Sequence, residues 1–159
     1  MTLTLKNVAE APRLNSYVAL TGKNGLSEAG TYKFYFQTSL PIPPKGTIKL
    51  TLPSEITYAY ISTVKYTGSI NTKTNVVVRK GASASELTLE QCISDYLQSG
   101  LGLMFELEGL KNPGSSTPSD SFKISTFDDN GFAIETLDNG LTVSAAAGNL
   151  GGVSFVPTN

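Results

Sequence analysis

Along most of the chain, apolar and polar residues alternate one for one, and the alternation is broken at short intervals by Gly, Pro, Asn and Asp. Period two puts successive side chains on opposite faces of an extended backbone, so the pattern predicts half-buried β-strands joined by tight turns. The clearest case is 31–38, "TYKFYFQT", where Tyr32, Phe34 and Phe36 share one face and Lys33, Tyr35 and Gln37 the other. "SLPIPPKG" follows as a stiff connection, because its prolines fix φ and cannot donate ladder hydrogen bonds. It delivers the chain to "TIKLTLP", with Ile48, Leu50 and Leu52 inward. Residues 101–110 set Leu101, Leu103, Phe105 and Leu107 against Gly102, Met104, Glu106 and Glu108.

The other strands are shorter. Residues 2–8 and 16–20 read as one strand interrupted by "EAPRLN", and 61–67 and 72–79 as two more, the latter with Val76 and Val78 opposed to Val77. Segment 86–97, "ELTLEQCISDYL", begins as a strand, while its second half has apolar spacing that suits either a strand or a helical turn. Beyond the polar turn "KNPGSSTPSD", "SFKISTF" and "FAIETL" form a hairpin through "DDNG", since an Asn-Gly pair favours tight hairpin turns. A second turn, "LDNG", leads to a strand at 141–145, a Gly-rich pause and a last strand at 153–156. Many short strands at turn spacings of roughly 8–12 residues predict an all-β antiparallel sandwich. Its expected core is Tyr32, Phe34, Phe36, Ile48, Leu50, Leu52, Leu103, Phe105, Phe122, Ile124, Phe132 and Ile134.

Composition narrows the function. Charged residues make up 16% of the chain, well under the roughly 25% of an average soluble protein. Eighteen threonines and 17 serines supply the polarity instead. With 12 basic against 13 acidic residues the net charge is -1, and the closest basic cluster is Arg79-Lys80. No field of that size draws in phosphate backbones, so nucleic acid is not an expected partner. The sequence holds no apolar run long enough to span a bilayer. "MTLTLKNVAEAP" also lacks the basic start and apolar run of a signal peptide, so the chain is expected to be either cytosolic or a processed or internal piece of a longer one.

Chemistry-bearing residues are scarce. The chain has no histidine, which excludes Ser-His and Cys-His nucleophiles. Its one cysteine, Cys92, has no intrachain partner and is expected to be a small buried apolar residue. Glu106 and Glu108 lie about 7 Å apart by strand rise, in the range of paired glycosidase carboxylates, but alternation places both on the solvent face. "DDNG", with Asp138 and Asn139 beyond it, offers oxygen ligands for Ca²⁺, yet turn chemistry accounts for every residue in it. No catalytic residue, metal site or cofactor is assigned, and the expectation is that the protein is not an enzyme. There is no Asn-x-Ser/Thr sequon, while "PGSSTPSDS" suits O-linked sugar.

The order "TYKFYFQTS", "LPIPPKGTIKLTLPSEI", "GLMFELEGLKNPGSS", "SFKISTFDDNGFAIET" resembles the immunoglobulin-like β-sandwich repeats found in tandem in large surface proteins of ciliates and related protists. Residues 31–56 and 103–136 carry the resemblance, and 57–100 do not. It implies an extracellular or cell-surface location, a structural or adhesive role without an active site, and "GGVSFVPTN" as the opening of a following domain. The expected organisation is therefore a sandwich over 1–147 and a linker with an inter-subunit or next-repeat strand over 148–159. Leu141, Val143, Val153 and Phe155 share one strand parity, and Gly148, Gly151 and Gly152 loosen the chain between the two pairs. A terminal strand on such a hinge can leave its own sandwich for the edge of a neighbour. These four residues form the candidate assembly interface, with copies of the same chain, head to tail, as the expected partner. The expected function is a structural subunit or repeat of an extracellular filament or surface layer. The alternative is an adhesin or carbohydrate-binding module, with Tyr35, Tyr58, Tyr60 and Tyr66 as a platform for glycan rings.

Overall fold

In a computed structural model of the chain, which describes residues 16–58, 64–66 and 76–147, the alternation becomes burial. Ten strands follow in order: β1 (Tyr17–Thr21), β2 (Ala29–Gln37), β3 (Thr47–Thr51), β4 (Thr57–Tyr58), β5 (Val64–Tyr66), β6 (Val77–Lys80), β7 (Glu86–Glu90), β8 (Gly102–Lys111), β9 (Lys123–Phe127) and β10 (Ala133–Leu137). No helix occurs among the described residues. One sheet runs β1-β2-β8-β4, with β5 also paired to β8, and the other runs β10-β9-β3-β7-β6. Every one of these strand pairings is antiparallel.

The core lies between the sheets. Phe34 on β2 sits opposite Phe105 on β8, their rings stacked at 4.9 Å, while Phe122 meets Phe34 edge-on at 5.2 Å. Offset and edge-on pairs of this kind add about 0.5–1.5 kcal/mol to the area they bury. Ten of the twelve expected core residues are buried, and Ile134 packs partly against the cluster. Phe132 is the correction, at 71% exposed. It lies in the β9–β10 turn before β10 begins, its amide donating to the Asp128 carboxylate at 2.8 Å, where strand alternation no longer governs it. Within β10 the register shifts between Ala133 and Glu135, and one extra residue in a strand reverses which parity faces inward. Glu135 thereby takes the inward place, 5% exposed.

Two other segments depart from the expected pattern. After β7 the chain turns sharply at Gln91 (φ 58°), buries Cys92 and Ile93, and pairs Leu97 with Ile42 through reciprocal 2.9 Å hydrogen bonds. No helical turn forms there. Residues 141–145 are not a laddered strand but an extended edge: the Phe122 and Ser119 amides donate to the Leu141 and Val143 carbonyls at 2.9 and 2.8 Å. The expected strands at 2–8 and 153–156 lie outside the described residues.

The registers Tyr17↔Tyr35, Gln37↔Gly102, Thr47↔Phe127 and Ile48↔Leu89 fix which loops share an end of the sandwich. The start of β1, the β2–β3 connection, the β7–β8 segment and the β9–β10 turn lie together at one end. At the other end Ala146 donates to Asn24 O at 2.7 Å and bridges Gly25 in the β1–β2 loop. The described chain thus begins at one end and finishes at the opposite one.

Candidate functional site

Leu141 and Val143, two of the four candidate assembly residues, are placed within the domain's own core, 1% and 6% exposed. Their parity is as expected, with Ala145 buried beside them and Thr142 and Ser144 exposed, but the face they share closes the sandwich. Ser119 and Ser121 hold them there: their hydroxyls accept from the Val143 and Leu141 amides at 3.2 and 3.1 Å. Neither residue offers surface to a neighbouring copy. Val153 and Phe155 lie outside the described residues.

Tyr35 and Tyr58, the two candidates whose side chains are described, lie on different faces of their sheet. Tyr35 is on the outer face of β2, stacked at 5.4 Å and 22° on Tyr17 of β1. Its ring lies over Gly102, where an added Cβ would come within 2.6 Å of the ring carbon Cε2. Tyr58, by contrast, packs against the core, and Lys80 Nζ sits 4.4 Å from its ring centroid. By backbone register, position 66 on β5 pairs with Phe105. Tyr60 is outside the described residues. Tyr17, which supplies the second ring, was not singled out because its strand looks weakly patterned in sequence.

A shallow groove of about 530 Å³ lies beside Lys45, Thr47, Glu90, Gln91, Ile93 and Ser94. Lys45 (φ 65°) and Gln91 (φ 58°) both adopt left-handed backbone there, a conformation costing about 1–3 kcal/mol for such residues. Lys45 takes it as the third residue of the turn that Gly46 N closes on Pro43 O at 3.1 Å, a place where a positive φ belongs to a type II turn, and a Cβ on Gly46 would meet Ile42 Cγ2 at 2.6 Å and Phe127 O at 2.8 Å. The strain is accounted for by the turn. Nearby, Glu135 Oε2 accepts from Ser39 N and Oγ at 3.0 and 2.8 Å, tying the β2–β3 connection to β10. Its other oxygen and Thr126 Oγ1 lack hydrogen-bond partners and adjoin a cavity of about 10 Å³, the size of one water.

The remaining chemical candidates resolve into structure. Burial pushes the Cys92 thiol up to about 12, and Sγ donates to Leu89 O at 3.3 Å. Glu106 and Glu108 lie on the half-exposed outer face of β8, with Lys33 opposite Glu106. In "DDNG" the Asp128 carboxylate is turned inward on its own turn, accepting from the Asn130 and Phe132 amides at 2.9 and 2.8 Å. Among the described residues no three His, Cys, Asp or Glu side chains are grouped to hold a metal.

The surface feature that sequence reading missed is an apolar one. Among the described residues, the large hydrophobic side chains left exposed are Tyr17, Leu40, Tyr96, Leu101 and Phe132, and all five belong to the end where the described chain begins. Scattered exposed apolar residues are ordinary, but their confinement to one end is not. Hydrogen bonds draw their loops together: Thr38 N donates to Leu101 O at 3.1 Å, and Ser99 Oγ to Ser39 O at 2.7 Å. The strand pattern points the wrong way for Leu101 and Phe132, which alternation places with the inward residues, because each lies just before the strand it was read into.

No family model matches this chain, and no curated protein matches it by sequence. Solved structures do. An uncharacterised protein from Nocardia farcinica with an immunoglobulin-like fold is similar at a TM-score of 0.50 and 13% identity, over 82% of this chain and 97% of that one. Domains D2 and D3 of the major pilin SpaD from Corynebacterium diphtheriae are similar at a TM-score of 0.44 and 8% identity, over 83% of this chain. Full-length SpaD gives 0.47 and 12% over 84%. This chain spans 50% of the two-domain pilin chain and 33% of the full-length one. At such identities the likeness is one of fold, and the chain is an immunoglobulin-like antiparallel β-sandwich.

Proposed function

We propose that this domain is a structural unit of an extracellular or cell-surface assembly, joined in series to copies of itself through its terminal segments. The observation that carries the reading is the course of the described residues, which run from Ser16 at one end of the sandwich to Ala147 at the other, beside Gly25. A unit threaded from end to end suits linkage in series, whether by strand exchange or as consecutive repeats. The weakly charged, Ser/Thr-rich sequence and the resemblance to tandem surface repeats agree with it. Since Leu141 and Val143 are held in the core, the joining segment narrows to 148–159, with Val153 and Phe155 as its anchors.

Electron microscopy of the full chain beside a variant lacking 148–159 tests the reading. Filaments from the full chain and a folded monomer from the truncation are expected. A truncation that still forms fibres, or that unfolds, contradicts it.

A second reading, sugar binding, is favoured by the stacked Tyr17–Tyr35 pair on the outer sheet face, a flat aromatic surface of the kind pyranose rings stack on. A glycan array probed with the wild type and Tyr35→Ala tests it: binding lost in the variant supports it, and no binding by either contradicts it.

A further inference from the structure

Resting on that reading of a unit joined in series, we propose that the exposed apolar end, with Leu40, Leu101 and Phe132 at its centre, is the receiving surface for segment Val153–Val156 of another copy. Three observations single out this occupant. The first is chemical fit. Residues 148–159, "GNLGGVSFVPTN", hold Leu150, Val153, Phe155 and Val156 and no Asp, Glu, Lys or Arg, so docking them on apolar side chains desolvates no charged side chain of the segment. Residues 1–15, which join the described chain at the apolar end, hold Lys6, Glu10 and Arg13 instead.

The second observation is reach. From Ala147, Val153 is six residues away and Phe155 eight, at most about 21 and 28 Å at ~3.5 Å per residue. The nine steps between the first and last residues of β8 cover about 30 Å at ~3.3 Å per step, and the apolar loops lie beyond its start. A segment leaving beside Gly25 therefore falls short of its own apolar end. It meets that of the next copy without crossing a sandwich.

The third is symmetry. Giver and receiver lie at opposite ends of one domain, so the contact is heterologous and leaves a free end on each side of every pair. Such a contact extends into a series. The exposures of Leu40 (40%), Leu101 (44%) and Phe132 (71%) are what a surface covered on association leaves bare in the single unit.

The test uses the full chain in two forms. In one, Phe155 is replaced by the photo-crosslinker p-benzoylphenylalanine, and a mixture of isotopically light and heavy copies separates cross-copy from within-copy links. Links between copies to Leu40, Leu101 or Phe132 and their neighbours are expected; links within one copy, or to another face, overturn the proposal. In the other, Leu40→Ser, Leu101→Ser and Phe132→Ser are combined, the fold being checked by its denaturation midpoint. This variant is expected to need at least tenfold more protein to assemble. If it assembles like the wild type, the receiving surface is wrong while the reading of a serial unit stands. If the wild type itself never associates, the reading fails and the proposal with it. A variant that assembles normally but no longer adsorbs to apolar surfaces assigns the end to such a surface and overturns the proposal equally.

Discussion

Phe34 and Phe132 are the same residue type in opposite circumstances, and their substitution separates what burial contributes from what composition suggests. Phe34 is fully buried between Phe105 and Phe122, so Phe34→Ala removes contacts on every side and leaves a cavity, at a cost of about 3–5 kcal/mol. Phe132→Ala changes an exposed side chain and is expected to shift stability by no more than about 0.5 kcal/mol. Urea denaturation of both variants checks the contrast. Cys92 gives a second test. Its thiol is neutral in the fold because burial raises it to about 12, against an ordinary value near 8.5. The stabilisation from a buried neutral thiol is therefore complete below about pH 8.5 and is lost as pH rises toward 12. A thiol reagent at pH 8 is expected to label Cys92 only in denaturant; labelling of the native protein at the rate of a free thiol would place it elsewhere.

Connections between elements rest on a few hydrogen bonds whose removal leaves buried groups unpaired. Tyr32 Oη donates to Asn112 Oδ1 at 3.0 Å, and Asn112 Nδ2 donates to Lys23 O and Gly25 O, so one amide fixes the β1–β2 loop to the end of β8. Asn112→Ala strands all three partners and is expected to cost about 2–3 kcal/mol, more than Tyr32→Phe, which strands one. Thermal unfolding of the pair reads the difference. Glu55 ties another connection. Its carboxylate accepts from the Asp120 amide at 2.9 Å, and that bond lowers its pKa. A depressed carboxylate stabilises the fold above its unfolded pKa and loses that contribution as pH falls through the folded value. An NMR titration should show Glu55 with a midpoint below the usual glutamate value, and Glu55→Gln should flatten the acid limb of stability in that window.

At this scale, too, the limits of the sequence become concrete. Strands β2 and β3, and β8 as far as Leu107, were legible because their apolar residues alternate without interruption, and a period of two admits one inward face. Phe132 was misplaced because alternation does not show where a strand gives way to a turn. Leu141 and Val143 were read correctly for parity and wrongly for role, since which sheet an extended edge closes depends on Ser119 and Ser121, far off in sequence. Tyr35 and Tyr58 could not be separated for a related reason: they lie on opposite sides of one sheet, and only strand order reveals it.

For the molecule as a whole, the proposal is that a sandwich whose described residues run from the end bearing exposed apolar side chains to the opposite end associates in an open series. Closed and open association differ in how mass depends on concentration. A heterologous contact has no natural stopping point, whereas an isologous one saturates at a dimer. Sedimentation velocity of the full chain across a wide concentration range makes the distinction directly. The account predicts a weight-average mass that climbs from monomer without a plateau as protein is added; a chain that stays monomeric throughout, or that levels off at two copies, would contradict it.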